Sequence, residues 1–379
     1  MPIYLDHSAT TRPKPAVIAC LAAQLADHYA NPASLHRLGQ AEEKNLKTSK
    51  QTIAGLLDCR PEQLYLTSGG SESINWAIKG TLWGNRRRGG RLIISGGEHA
   101  AVRETAASFE TQGSPVVRLP LTSAGTVDLD SLEQALQEPA ALISLILVSN
   151  ETGAVNPVSE IVRLRDRLQP DTPIHLDAVQ TFGKLPFSFS QSGVDLMSGS
   201  GHKVGAPKGI GWLVKKEKCL LQPLIHGGGQ QGGLRSGTEN PPFAAALALA
   251  MTLTADHLPE KIEHVAFLRQ ILLKELAAEQ TEPLILSPAG SVPHILAAAF
   301  PGLRGETLLH ALEAREIYLS TGAACSSRRS KGNTVLKAMG VSDADALCAV
   351  RISISPDNTE AEMLETARAI AESCRKFRR

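Results

Sequence analysis

The sequence predicts an α/β protein with a mostly parallel central sheet that is covered by helices on both faces. Seven short apolar runs follow one another between residues 64 and 214, and segments with helical patterns separate most of them. Several runs consist almost entirely of Ile, Leu and Val, which is typical of strands buried on both faces of a parallel sheet. Helices that alternate with such strands are the connections that this kind of sheet needs.

The predicted elements can be given in chain order. Helical patterns cover residues 16–29 and 36–57, and the segment 31–34 (Asn-Pro-Ala-Ser) separates them. The predicted strands of the sheet are residues 64–67, 91–95, 116–119, 142–149, 174–177, 194–197 and 210–214. Because parallel strands end at the same edge of a sheet, polar residues that follow these strands are expected to meet there.

The last third of the sequence has shorter strands and amphipathic helices. Helices are predicted at 243–254, 259–278 and 306–315, and strands at 284–286, 295–300 and near residues 317 and 350. Thr359 can cap a last helix, and Glu362 is placed to complete a capping box. We expect a large domain of residues 15–256 and a small α/β domain made of residues 257–379 together with an N-terminal arm, residues 1–14.

Composition and charge exclude several classes of protein. The 39 basic and 38 acidic residues leave a net charge of +1, which argues against direct binding of nucleic acid or a membrane. The longest apolar run, residues 243–251, is too short to span a bilayer, and no secretory signal pattern is present. The six cysteines show neither metal-binding nor disulfide spacing. We therefore expect a cytoplasmic protein with reduced thiols and no metal site.

The segment 198–209 is rich in glycine and carries the pair His202-Lys203 between two predicted strands. Glycine allows the backbone to approach a ligand closely. Upstream, Asp177 ends another predicted strand. Pyridoxal phosphate requires an amine that condenses with its aldehyde and a carboxylate that pairs with its ring nitrogen. The alternative is a surface loop with a solvated lysine, and the carboxylate of Asp177 is what favours the cofactor.

Three further segments follow predicted strands. Gly70 and Ser71 open a helical pattern, so backbone amides and a hydroxyl are available for a phosphate, although an ordinary helix cap fits this segment equally well. His99 follows the strand at 91–95; a lone histidine is more often structural, but the carboxyl end of a parallel strand favours a functional role. Asn150 follows the strand at 142–149 in the same way.

Taken together, these segments resemble the cysteine desulfurases, which are fold-type-I pyridoxal-phosphate enzymes of the class V aminotransferase superfamily. The motifs are LDHSATT, NPASLH, TSGGSES, GEHAAV, NETG, HLDAVQ, SGSGHKVGAPKG, GGGQQGGLRSGTEN and TGAACSS, in the family's order over nearly the whole chain. The resemblance implies a large domain with a seven-stranded sheet and a smaller C-terminal domain. His7-Ser8 and Gln231-Gly232 depart from the commoner Asn-Ala and Glu-Arg, at positions without an assigned role.

The resemblance also implies roles for single residues. Lys203 is implied to form the Schiff base, His99 to stack on the ring and help move protons, and Asp177 to pair with the ring nitrogen. Further contacts to the cofactor are implied for Gly70, Ser71, Asn150, Gln180, Ser200 and His202. Thr238 is implied to reach the phosphate of the neighbouring subunit of a homodimer. Arg351, with Asn150 nearby, is implied to hold the substrate carboxylate, a task that suits a planar guanidinium.

Cys325 is the candidate nucleophile. It alone among the cysteines lies in a Gly/Ala/Ser segment, and the nearby Arg328 and Arg329 would lower its thiol pKa. The resemblance implies that Cys325 attacks the sulfur of L-cysteine, so that L-alanine is released and a persulfide remains on the enzyme. The segment from Cys325 through Lys331 to Val335 is similar to the longer loop of desulfurases that hand sulfur to an acceptor protein, for iron–sulfur cluster assembly or tRNA thiolation.

Two groups of alternatives stay open at this point. Another enzyme of the same fold, either a selenocysteine lyase or a class V aminotransferase, would share the cofactor residues. A sulfur-relay scaffold without turnover would be expected to lack Lys203, Asp177 or His99, and all three are present.

Overall fold

A computed structural model of the chain describes residues 2–87, 89–321 and 334–378. Its α-helices are α1 (Pro15–Asp27), α2 (Arg37–Leu56), α3 (Gly70–Asn85), α4 (Ala100–Glu110), α5 (Leu129–Ala135), α6 (Val158–Leu168), α7 (Pro241–Ala255), α8 (Leu258–Ala278), α9 (Gly305–Glu313), α10 (Thr334–Ala338), α11 (Asp343–Leu347) and α12 (Glu360–Phe377). Its strands are β1 (Ile3–Tyr4), β2 (Leu64–Thr67), β3 (Arg91–Ser95), β4 (Val116–Leu119), β5 (Ala140–Ile146), β6 (Ile174–Asp177), β7 (Leu196–Ser200), β8 (Gly211–Lys215), β9 (Leu284–Ile285), β10 (Ile295–Ala299), β11 (Ile317–Tyr318) and β12 (Ala349–Ser353).

The central sheet has seven strands in the order β2-β8-β7-β6-β5-β3-β4. Neighbouring strands from β4 to β7 are parallel, and β8 is antiparallel to both β7 and β2. The predicted α/β fold with a mostly parallel sheet is therefore confirmed. The strand predicted at 142–149 ends earlier, at Ile146, because the side chain of Asn156 donates to the Ile146 carbonyl at 2.6 Å and ends the ladder.

Alternate side chains of the central strands pack into different cores on the two faces of the sheet. Leu92 and Ile94 of β3 pack with α3 and α4, whereas Ile93 between them packs into the larger core that contains α2, α6 and α7. This division follows from the two-residue repeat of a strand, and it explains why β3 reads as a continuous apolar run.

A separate core holds the C-terminal elements. It combines Ile3 and Leu5 with apolar side chains of α8, α9, α12, β10 and β12. The strands β12, β10 and β9 form an antiparallel sheet, and β1 pairs in parallel with β11. We propose that this core marks the small domain of residues 1–14 and 257–379, beside a large domain of residues 15–256. The capping box of Thr359 and Glu362 at the start of α12 is confirmed.

Among the described residues, every helix is either too short or too polar to span a lipid bilayer.

Gly199 of β7 lies directly opposite the buried indole of Trp212 in β8. A Cβ atom at Gly199 would lie 2.1 Å from the indole ring, so Gly199→Ala is expected to lower the free energy of unfolding by about 3 kcal/mol. Gly55 of α2 is the matched control, since its added Cβ would meet no atom within 4 Å. Gly55→Ala is expected to stabilise the protein by about 0.5–1 kcal/mol. Urea unfolding of both variants tests the expectation, and equal midpoints would contradict it.

Candidate functional site

A cavity of about 450 Å³ lies at the edge of the sheet where the parallel strands β3, β5, β6 and β7 end. The predicted site residues that line it are Gly70, Ser71, His99, Asn150, Asp177, Gln180, Ser200, His202, Lys203 and Arg351. Thr238 does not line this cavity and is exposed on the surface. Cys325 lies outside the described residues.

Lys203 is held at the cavity by the N-terminal arm. Its Nζ donates hydrogen bonds to the carbonyl oxygens of Ser8 and Ala9, at 2.5 and 2.7 Å. Thr11 fixes the adjoining turn, because its backbone N–H and its hydroxyl both donate to the carbonyl of His202, at 2.9 and 2.8 Å. Sequence reasoning did not assign Ser8 and Ala9 to the site, since only their backbone oxygens take part.

Asp177 is buried at the end of β6, and its Oδ1 accepts a hydrogen bond from the backbone N–H of Val179 at 3.0 Å. Burial raises the pKa of this carboxyl group, whereas the nearby His99 and Lys203 act to lower it. A protonated ring nitrogen in contact with Asp177 would favour the carboxylate further, because opposite charges stabilise each other strongly where water is excluded.

His99 is the N-cap residue of α4, and its Nδ1 accepts a hydrogen bond from the backbone N–H of Ala101 at 3.1 Å. The neutral ring therefore carries its proton on Nε2. Burial lowers the pKa of His99, an effect that Lys203 and Arg103 reinforce and Asp177 opposes. A neutral imidazole with a defined tautomer suits both stacking on an aromatic ring and transfer of a proton through Nε2.

Glu98 is a buried neighbour of the site that sequence reasoning missed. Its Oε1 accepts hydrogen bonds from the Ser95 hydroxyl at 2.5 Å and from the Ile146 backbone N–H at 3.1 Å. These bonds join the ends of β3 and β5 immediately before His99. Burial raises the pKa of Glu98 to about 8, so the group is a neutral acid at pH 7. In the sequence, the position of Glu98 immediately before His99 in the GEHAAV motif could have indicated that it belongs to the site.

The start of α3 gives the cavity a set of groups that suits an anion. The helix α3 begins at Gly70, and its first backbone N–H groups have no partner within the helix. A Cβ on Gly70 would lie 3.0 Å from Val179 and 3.3 Å from Ser200, so a larger residue would crowd this approach. The side chains of Ser71 and His202 line the same cavity. Helix amides with these side chains form a typical phosphate site.

These groups fit pyridoxal phosphate. Groups that suit an anion line the cavity at the start of α3, and the buried carboxyl group of Asp177 lines it together with the amine of Lys203 and the imidazole of His99. A phosphate, a ring nitrogen, an aldehyde and a ring face are the four features that these groups would hold.

Arg351 of β12 brings the C-terminal part of the chain to the cavity. Its Nη1 donates to the Asn150 carbonyl at 2.9 Å, and its Nη2 forms an ion pair with Asp6 of the arm at 2.8 Å. The buried Nε has no hydrogen-bond partner among the described residues. A buried donor of this kind is costly unless a ligand or water accepts from it. The role of Asp6 was also missed from the sequence.

The chain matches the family "Aminotransferase class-V" over residues 3–365. It is 40% identical over 378 residues to a NifS/IcsS protein homolog of Lactobacillus delbrueckii subsp. bulgaricus, covering 99% of this chain and 98% of that protein. It is 33% identical over 364 residues to the cysteine desulfurase IscS of Clostridium botulinum, covering 95% and 91%. A solved structure of a NifS-like protein superposes with a TM-score of 0.92 at 35% identity, covering 98% of this chain and 99% of that one.

Proposed function

We propose that this chain, which belongs to the cysteine desulfurase family of the class V aminotransferases, converts L-cysteine to L-alanine and takes up the sulfur as a persulfide on Cys325. The observation that supports this most is the meeting of Lys203, Asp177, His99 and Arg351 at one cavity. These side chains come from distant parts of the sequence, and each has a use in amino-acid chemistry on pyridoxal phosphate.

The cofactor, when bound, accepts the electron pair that remains on the substrate Cα after its proton is removed. Lys203 would hold its aldehyde, Asp177 its ring nitrogen, and Ser71 and His202 its phosphate. The carbonyl groups of Ser8 and Ala9 orient the Lys203 amine, so that the same amine can remove the Cα proton after the substrate has displaced it.

Arg351 is suited to bind the substrate carboxylate. Asp6 and the Asn150 carbonyl fix the plane of its guanidinium, while the buried Nε keeps a donor available for the substrate. In the sulfur step, Sγ of Cys325 forms a bond to the substrate sulfur as the Cβ–S bond breaks. The electron pair of that bond goes to Cβ. The proton that Lys203 removed returns to Cα, and a proton delivered to Cβ completes alanine. His99, with its proton on Nε2, is our candidate for that proton transfer.

The persulfide sulfur then passes to a separate acceptor protein, in iron–sulfur cluster assembly or tRNA thiolation. The basic residues Arg328, Arg329 and Lys331 that follow Cys325 in the sequence support an acceptor with an acidic contact surface. A cytoplasmic location agrees with six cysteines that show no disulfide spacing.

A homodimer with shared sites completes the proposal. Thr238 is exposed and does not line the cavity of its own chain, as expected of a side chain that serves a neighbouring subunit. Tyr29 and Leu35 are 76% and 92% exposed, and large apolar side chains as exposed as these support the presence of a contact surface.

The dimer can be tested by a charge at Leu35. Leu35→Asp is expected to shift the protein from dimer to monomer, because a carboxylate would be desolvated in the interface. The control is Leu347→Asp on α11, where the leucine is also exposed, at 54%. Sedimentation velocity gives the mass of both variants. A monomeric wild-type protein, or a Leu35→Asp variant that stays as dimeric as Leu347→Asp, would contradict the proposal.

The proposed activity is tested by the fate of the sulfur. Mass spectrometry of the Cys325 peptide after treatment with L-cysteine should show one added sulfur atom. Cys325→Ser is expected to lower sulfide release by about 10³-fold or more, as for other essential nucleophiles, while the cofactor absorbance is retained.

Cys59→Ser is the matched control for this experiment. Burial raises the pKa of Cys59 to about 12, so its thiol is not a nucleophile at neutral pH, and the variant should keep its activity. Unchanged turnover in Cys325→Ser would instead favour an aminotransferase, and a rate that is high only with selenocysteine would favour a selenocysteine lyase.

A further inference from the structure

Lys184 was not assigned to the site from the sequence, yet a chain of three hydrogen bonds joins it to Lys203. The Nζ of Lys184 donates to Oε1 of Gln180 at 2.7 Å, and Nε2 of Gln180 donates to the Ser8 carbonyl at 2.8 Å. The same carbonyl oxygen accepts from Nζ of Lys203 at 2.5 Å. Gln180 and Ser8 are each only 2% exposed, so water has little access to these bonds. The chain of bonds ends at the amine that we propose for attachment of the cofactor.

The groups on the two sides of Gln180 permit one orientation of its amide. A carbonyl oxygen can only accept a hydrogen bond, and an ammonium group can only donate one. The amide must therefore turn its nitrogen to Ser8 and its oxygen to Lys184. If an apolar residue replaced Lys184, Oε1 would lose the donor that holds it, and the nitrogen would no longer be fixed against Ser8.

A tight turn brings Lys184 back to Gln180. The backbone N–H of Lys184 donates to the Thr181 carbonyl at 3.1 Å. Gly183 within the turn has a φ of +72°, which glycine adopts readily and other residues rarely adopt. A Cβ atom there would also lie 2.0 Å from a methyl carbon of Thr254. The turn therefore requires glycine at this position, and the backbone sets the position of Lys184 beside Gln180.

Lys184 costs the fold stability. Its side chain is partly buried and takes part in no ion pair of the described residues. Burial lowers its pKa to about 7, with Lys203 and Arg351 as further causes. Because this pKa lies below the ordinary value of lysine, the folded chain binds the proton less tightly than the unfolded chain, and the charge destabilises the fold at neutral pH. A strongly shifted group beside a cavity indicates a function rather than a structural role.

We propose that Lys184 is a positioning residue, which fixes the amide of Gln180 and, through the Ser8 carbonyl, holds the amine of Lys203 in place. This role depends on the cofactor chemistry proposed above, in which Lys203 first attaches the aldehyde and later removes the Cα proton. Lys184 lines a neighbouring cavity of about 100 Å³ and not the candidate site itself, so it acts through the residues between them.

The first test is the rate at which pyridoxal phosphate becomes attached to the full-length protein after the cofactor has been removed. Lys184→Met is expected to slow this rate, followed by the absorbance of the bound cofactor, by about tenfold or more, since small displacements of a reacting group cost at least this much. In turnover of L-cysteine, kcat should fall while KM stays within about twofold, because Arg351 is unchanged. The midpoint of urea unfolding is expected to stay equal or to rise, since a destabilising charge is removed.

Lys261→Met is the matched control. Lys261 is also partly buried, burial also lowers its pKa, and it lines the same neighbouring cavity as Lys184. Its Nζ, however, donates to the carbonyl groups of Leu253 and Asp256 near the end of α7. The rate of cofactor attachment in this variant should equal that of the wild-type protein.

A double-mutant cycle shows whether Lys184 acts through Gln180. Gln180→Leu alone should slow attachment of the cofactor, and the addition of Lys184→Met is expected to change that rate by less than about twofold, because the residue through which Lys184 acts is already lost. Attachment of the cofactor involves neither Cys325 nor release of sulfide, so it decides the role of Lys184 even in a protein without desulfurase activity.

Three results would overturn the proposal. They are equal rates of attachment in Lys184→Met and Lys261→Met, the same fold-loss from Lys184→Met with and without Gln180→Leu, and a lower urea midpoint in Lys184→Met, which would indicate a structural role.

Discussion

Replacement of Lys203 by alanine is expected to lower the rate of alanine formation from L-cysteine by at least about 10³-fold. The amine of Lys203 has two tasks in the proposed reaction, attachment of the cofactor and removal of the Cα proton, and a positioned proton-transfer group alone contributes about 10²–10⁴-fold. The rate is measured as alanine released by the purified, cofactor-loaded variant, and the bound cofactor is followed by its absorbance.

Lys208→Ala is the control for this variant, because Lys208 belongs to the same glycine-rich segment but is exposed. Its rate should stay close to that of the wild-type protein. Added methylamine is expected to restore part of the lost activity of Lys203→Ala, since a free amine can take over the proton transfer. A Lys203→Ala protein that kept a tenth of the wild-type rate would show that another base acts in its place.

Asp177→Asn is expected to lower the same rate by about 10²-fold or more. A buried carboxylate keeps the ring nitrogen of the cofactor protonated, and an amide of the same shape cannot, so the ring accepts electrons less readily. Each pKa unit lost by the ring nitrogen corresponds to about 1.4 kcal/mol. The absorbance of the bound cofactor as a function of pH should show this loss directly.

Glu98→Gln is the matched control for Asp177→Asn. Both carboxyl groups are buried, but the pKa of Glu98 is raised to about 8, so at pH 7 it is already neutral. An amide keeps an oxygen that can accept from Ser95 and Ile146, and the rate is expected to stay within severalfold of wild type. Equal losses in the two variants would mean that burial of a polar group, rather than its charge, is what the site requires.

The fold could be predicted well from the sequence because the repeat of apolar residues is a local signal. Ile93 and its neighbours Leu92 and Ile94 are all apolar, so β3 had to be covered on both faces, and the structure places different helices there. The end of β5 was missed because the group that stops it, the side chain of Asn156, lies ten residues further along the chain.

Residues of the candidate site could be predicted from the sequence only where their side chains, rather than their backbone atoms, line the site. Three of the predicted residues lie at the ends of strands, namely Asp177, His99 and Lys203. The remaining predicted site residues were identified from the family motifs. The carbonyl groups of Ser8 and Ala9 carry no side-chain signature, and Lys203 is 195 and 194 residues away from them. Contacts of that kind depend on tertiary packing and cannot be deduced from local patterns.

The N-terminal arm also determines when the enzyme can first become active during synthesis. Asp6 leaves the ribosome 345 residues before its ion-pair partner Arg351. The central sheet can form before that, since domains fold as units while the chain is still being made. A nascent chain that already contains Lys203 therefore still lacks Arg351, the residue that we propose for the substrate carboxylate, and is not expected to turn over cysteine.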